Sequence, residues 1–255
     1  MSVLPIEARQ VPARNGGLWI AQGFRLFRKA PAVWLALIFI YLLISMGLSL
    51  FKLIGPIVLN LLAPVFVAGF MLGCRALDQD EELEINHLFA GFRLQAAPLV
   101  TVGGLYLAGI IVVVGLMFVG GDSSVLQALF SGETLNEEST AAALSQGSAL
   151  GPLLGMALLI PLIMAYWFAP VLVAFHGLSA VEAMKQSFAA CWRNILPFFV
   201  YSLISMGLLL LAAIPFGLGL LIMIPTMTAS LYASYKDIFL NGMPAPPLPE
   251  AGIDE

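Results

Sequence analysis

Between Asn194 and Tyr235 the chain carries no charged side chain. A helix crossing a bilayer core of about 30 Å needs roughly 20 residues at 1.5 Å each, so this run is long enough for two crossings. Pro215-Phe216-Gly217-Leu218-Gly219 interrupts it in the middle, where proline and glycine favour a turn. The run predicts a helical hairpin in lipid. Uncharged stretches of similar length lie at about Ala32 to Phe51, Ile54 to Gly73, Pro98 to Val119, Pro152 to Phe175, Ile195 to Ile214 and Phe216 to Tyr235, which predicts six spans. Hydrophobic residues make up 60% of the chain and charged residues 10%, against roughly 45–50% and 25% in soluble domains. A water-exposed surface cannot be built from that inventory.

Orientation follows from the positive charges, because Lys and Arg near span ends are retained in the cytoplasm. With the N-terminus inside, Arg9, Arg14, Arg25, Arg28, Lys29, Arg75, Arg93, Lys185, Arg193 and Lys236 are all cytoplasmic. Lys52 alone of the 11 basic residues is outside. The loop from about Gly120 to Gly151 has no Lys or Arg and carries Asp122, Glu133, Glu137 and Glu138, as expected of an outer loop. Both termini are therefore expected in the cytoplasm. The first apolar run lacks a small-x-small cleavage site and reads as a retained span rather than a signal peptide.

The sequence also repeats. Tyr41 to Leu50 matches Tyr201 to Leu210 at eight of ten positions. Ala63-Pro64-Val65 in the second span recurs as Ala169-Pro170-Val171 in the fourth, and Pro225 holds the equivalent place in the sixth. Gly23-Phe24-Arg25, Gly91-Phe92-Arg93 and Ser187-Phe188 precede the odd spans, each followed by a proline, Pro31, Pro98 or Pro197. The fold class expected is all-α: one integral membrane domain over 1–255, with three hairpin repeats at about 18–75, 85–178 and 179–239. Short polar tails cover 1–17 and 240–255.

Each hairpin is expected to follow an amphipathic helix lying in the headgroup layer. In the third copy Ser179 and Glu182 form a capping box, and Val181, Met184, Phe188 and Trp192 give one apolar face. Trp19, Phe24, Arg25, Arg28, Lys29, Phe92, Arg93, Lys185, Phe188, Trp192 and Arg193 are the expected interfacial lipid contacts.

The chemistry available is sparse. No Asp, Glu, Lys, Arg or His lies within the six spans, so the usual mark of a proton or ion pathway is missing. Asn60 is the polar side chain most costly to bury there, and is expected to contact a neighbouring helix or a ligand. His87 follows the acidic run Asp78 to Glu84, which reads as a solvated loop and a helix cap. Cys74 and Cys191 form no CxxC pair and read as idle thiols. There is no phosphate loop and no HxxxH. No catalytic residue, metal ligand or cofactor is expected, and a net charge of −4 speaks against nucleic acid as a partner.

Three stretches, Ala8 to Gly17, the helix around Gly23-Phe24, and Phe175 to Phe188, resemble a family of uncharacterised proteobacterial inner-membrane proteins over most of the chain. The repeat unit more loosely resembles the membrane domain of glycerophosphodiester phosphodiesterases, without their soluble catalytic domain. Mitochondrial-type carriers share a threefold hairpin repeat, but their Pro-x-acid-x-x-base motif has no counterpart after Pro31. The family resemblance implies location and topology. The expected role is non-enzymatic, organising or assisting membrane components, with membrane lipids and other membrane proteins as partners. Transport of a neutral or lipid-like solute is the alternative.

Overall fold

The computed structural model describes residues 7–52, 54–117 and 150–241. These form ten helices and no strand: α1 (Asn15–Lys29), α2 (Pro31–Ser49), α3 (Ile54–Asp78), α4 (His87–Leu94) and α5 (Ala96–Met117), then α6 (Leu150–Trp167), α7 (Ala169–His176), α8 (Ala180–Arg193), α9 (Ile195–Ala213) and α10 (Leu220–Phe239). Most of the expected outer loop lies outside the described residues, as do the ends of both tails.

Five stretches are long and apolar enough to cross a membrane: Pro31–Ser49, Ile54–Asp78, Ala96–Met117, Leu153–His176 and Ile195–Ala213. The sixth expected stretch is displaced. A turn takes up Phe216 to Gly219, with Phe216 and Gly217 at φ 52° and 79°, so α10 starts later and runs on through Lys236 and Asp237. Its hydropathy falls accordingly, since Thr226, Thr228, Ser230, Tyr232, Ser234 and Tyr235 fill its second half.

Prolines and glycines set the other boundaries. Pro31 stands in the first turn of α2, where a missing N–H costs nothing. Gly177 ends α7 in the left-handed region and donates its N–H to the Val173 carbonyl at 3.0 Å. The break between α6 and α7 has two causes. Pro170 has no N–H to continue the ladder, and Ser187 inserts its hydroxyl beside the break. Ser187 Oγ accepts the Phe168 N–H at 2.9 Å and donates to the Met164 carbonyl at 2.6 Å.

Three helices, α3 with Pro64, α7 with Pro170 and α10 with Pro225, form the centre. Val65, Ala68 and Met71 of α3, Ala169 and Val171 to Val173 of α7, and Ala229 of α10 are all fully buried. Phe175 of α7 packs on Tyr232 and Tyr235 of α10, and Trp34 of α2 stacks on Phe70 of α3. The outer helices α2, α5 and α9 turn Phe39, Met46, Ile111, Leu203 and Leu210 outward, a surface suited to lipid rather than water.

The shorter helices approach the bundle through small residues. A Cβ on Gly23 of α1 would lie 2.5 Å from the Thr226 carbonyl of α10. One on Gly91 of α4 would collide with the Val65 carbonyl of α3. On α8 the buried face is Ala180, Ala183, Ser187, Ala190 and Cys191. Val181 and Trp192, part of the face expected from apolar periodicity, are more than half exposed, because close helix approach selects small side chains over large ones. Ser179 does cap α8, accepting the Glu182 N–H, but the Glu182 carboxylate accepts from Gln186 instead of closing a capping box.

Candidate functional site

The polar residues gather where α3, α7 and α10 end. Asp237, in the last turn of α10, accepts from three donors brought by the N-terminal segment: the Arg9 guanidinium, Asn15 Nδ2 at 2.7 Å and Trp19 Nε1 at 2.9 Å. Beside it, Lys236 pairs with Asp78 of α3 at 2.6 Å, and the Tyr232 hydroxyl donates to the same carboxylate at 3.3 Å. Lys29 donates to the Leu77 carbonyl at 2.5 Å and pairs with Asp80 at 2.6 Å. Its hydrogen bond and charge hold the Asp80 carboxyl below the usual carboxylate range.

Upstream of α1 the chain crosses this face as a strap. Asn194, fully buried between α8 and α9, accepts the Val11 N–H at 2.9 Å and donates to the carbonyls of Arg9 and Ala190, each at 2.9 Å. Arg193 donates to the Ala8 carbonyl at 3.0 Å, and the Arg9 N–H donates to the Ile238 carbonyl at 2.9 Å. Ala8 and Val11 are themselves buried. The strap thus ties the first helix to the last two.

Besides a cleft of about 360 Å³ at the Lys29–Asp80 pair, two clefts open on the same end. One, of about 370 Å³, lies between α1, α3 and α10 and is lined by Gln22, Arg25, Lys29, Asp78, Lys236 and Asp237. The other, of about 340 Å³, lies between α3 and α4 and contains Arg75 and His87. Among the described residues no three His, Cys, Asp or Glu side chains converge as metal ligands would. Cys191 is buried in α8, and desolvation pushes its thiol up to about 12, which favours the protonated form at neutral pH.

A protein of Burkholderia thailandensis described as a probable inner membrane protein is 34% identical to this chain, over 94% of this chain and 97% of that protein. The chain belongs to a family of inner membrane proteins. Its membrane-length apolar helices and lipid-compatible exterior fit that location. No family model matches the chain. No solved structure matches it significantly either. The looser likeness to the membrane domain of glycerophosphodiester phosphodiesterases finds no support in these comparisons.

The residues expected at the interface fall into three groups. Trp19 lies inside the protein, at 1% exposure against Phe198 and Tyr201 of α9, and Phe27 of the same helix is buried too. Lys29 and Arg193 reach the surface while bonding to the protein. Phe24, Arg25, Arg28, Phe92, Arg93, Lys185 and Trp192 are exposed, and half-buried Phe188 stacks on Trp192 at 6.0 Å. Arg28 sits over the Phe24 ring at 6.0 Å.

Several polar roles were not legible in the sequence. The acidic run does not cap α4, which has no acidic residue in its first turn; instead Asp78 and Asp80 meet lysines distant in sequence. Asn60 donates to the Pro56 carbonyl of its own helix at 3.2 Å, and its backbone carbonyl is what meets α5, near Gly103. Asp237 and Asn194 carry most of the strap. Their signal in the sequence was weak: a lone acid after Lys236 and a lone amide before an apolar run.

Proposed function

We propose that this chain is a non-catalytic inner-membrane protein that organises or assists other membrane components. The observation that carries this reading is the filled centre. Helices broken or kinked by proline enclose a solute path only if their kinks leave space, and here Pro64, Pro170 and Pro225 are buried together with their neighbours Val65, Val171 and Thr226. Asn60, the amide that a hydrated path between the kinked spans would use, is bonded within its own helix. The clefts at the charged end open outward.

In the same proposal the chain has six spans in three repeats, with both termini cytoplasmic. The cyclic packing of the small residues supports the repeat: Gly23 rests beside Thr226, Gly91 beside Val65, and Ser187 at the Phe168 break, each close to the proline of the preceding unit's second span. The first unit thereby closes on the last. The ten-to-one distribution of basic residues supports the orientation. The exposed aromatic and basic groups, Phe24, Arg25, Arg28, Phe92, Arg93, Lys185 and Trp192, with Phe188 stacked beside the last, form the lipid-contacting rim of the cytoplasmic face.

Extraction in native lipid particles, with mass spectrometry of the co-purifying proteins and lipids, tests the role. A stoichiometric membrane-protein partner is the expected result. Bound lipid with no protein partner, together with flux of that lipid in reconstituted vesicles, overturns it in favour of transport. Reporter fusions at Gly132 and at the C-terminus test the topology, which fails if Gly132 reports a cytoplasmic position.

A further inference from the structure

Among the described residues, four buried side-chain polar atoms lack a hydrogen-bond partner, and one of them belongs to a charged group: Nε of Arg75. Arg75 lies in the last turns of α3, is half-buried, and makes no ion pair or hydrogen bond with any described residue. Lys236, which is buried to a similar degree, is by contrast paired with Asp78. Arginine cannot relieve the cost of burial by losing its proton, so an unpaired guanidinium in a cleft calls for an anion.

The surroundings specify which anion. Arg75 lines the cleft of about 340 Å³ between α3 and α4, together with the polar Gln79, His87 and Glu81 and the apolar Leu72, Ala76, Ala90 and Leu94. α4 runs back along α3, with its His87 and Leu88 carbonyls against Gly69 and Gly91 against Val65, so the cleft descends from the charged end toward the apolar bundle. His87 Nδ1 is 3.0 Å from the Glu84 N and 3.2 Å from the Glu84 carbonyl oxygen, the shorter contact being the one to the N–H. In the tautomer that accepts this N–H, Nε2 carries the proton and is a donor. A guanidinium, an amide and an imidazole N–H beside an apolar wall match a phosphate oxyanion attached to a hydrocarbon body.

We infer that the α3–α4 cleft is a phosphate-binding site, with Arg75 the principal ligand to a phosphodiester. The apolar wall and the position at the end of the spans favour a phospholipid headgroup over a free anion as its source. Glu81 is exposed and also lines the cleft. A carboxylate in the lining repels a bare phosphate dianion and attracts an ammonium, so a phosphoethanolamine headgroup is preferred to a phosphoglycerol one. This inference rests on the membrane reading and is independent of the organising role.

The test uses the full chain purified in detergent, with lipid binding followed by native mass spectrometry and by the shift in thermal unfolding. Phosphatidylethanolamine, phosphatidylglycerol and inorganic phosphate are the three probes. The unmodified protein is expected to bind phosphatidylethanolamine most tightly. Arg75→Gln is expected to weaken it at least tenfold, Arg75→Lys to retain part of it, and Glu81→Gln to reduce the preference over phosphatidylglycerol. Equal lipid binding by the unmodified protein and Arg75→Gln overturns the site. Stabilisation by millimolar inorganic phosphate that matches the lipid effect overturns the lipid source. Should Arg75→Gln not fold, the comparison of Arg75→Lys with the unmodified protein decides, and unchanged affinity and headgroup preference there count against the inference.

Discussion

The indole Nε1 of Trp19 donates to the carboxylate of Asp237 at 2.9 Å, across 218 residues of sequence. This bond closes the first helix on the last. Trp19 is buried against Phe198 and Tyr201, and Arg9 and Asn15 donate to the same carboxylate, so a single acid organises the N-terminal segment. Hydrogen bonds to a charged acceptor contribute about 1.5–3 kcal/mol each, and those sharing one acceptor are not additive. Asp237→Ala is expected to lower stability by roughly 2–4 kcal/mol in total. Thermal unfolding in detergent measures it, and an unchanged midpoint would contradict the central role given to this residue.

Asn194 holds the strap from the other side. Its amide satisfies the Val11 N–H and the Arg9 and Ala190 carbonyls in a fully buried position. Asn194→Ala leaves these groups without partners, at a cost of about 1–3 kcal/mol for the buried donor. Limited trypsin treatment should then cut at Arg9 or Arg14 several times faster than in the unmodified protein. Retained protection would mean that Arg193 and Asp237 alone hold the strap.

Glycines that look alike in the sequence should behave oppositely. Gly91 abuts the Val65 backbone, which cannot move aside as a flexible side chain can, so Gly91→Ala is expected to cost roughly 1–3 kcal/mol. At Gly47 and Gly207, in the repeated Ser-Met-Gly-Leu motif, an added Cβ would meet no atom within 4 Å, and Ala there should be neutral or stabilising by about 0.5–1 kcal/mol. Parallel unfolding curves of the three variants check the contrast. A destabilised Gly207→Ala would point to a contact with another molecule.

The four tryptophans offer a test of the lipid rim. Trp192 is 62% exposed, whereas Trp19 and Trp34 are at 1% and 0%. In vesicles containing lipids brominated near the headgroup, a variant retaining Trp192 alone should lose most of its fluorescence. One retaining Trp34 alone should lose little. Equal quenching of both would remove Trp192 from the interface.

The sequence alone determined the solvent of this protein and most of its helices. Long uncharged runs permit little besides membrane spans, because an unpaired backbone in lipid is costly, and Pro31, Gly177 and the Pro215 to Gly219 turn act locally. It also pointed to Gly23, Gly91 and Ser187, though not to what they touch. Tertiary structure decided which face of each short helix turns inward: periodicity marked Val181 and Trp192 on α8, but backbone proximity selected Ala183, Ser187 and Ala190. It decided the fate of Trp19, whose amphipathic ring suited the interface equally well until Asp237 supplied a partly buried acceptor inside the protein. It left Arg75 without a partner while pairing Lys29 and Lys236 with the acids around it. Charge pairing across 51 or 158 residues depends on where helix ends meet, and no local pattern encodes that meeting.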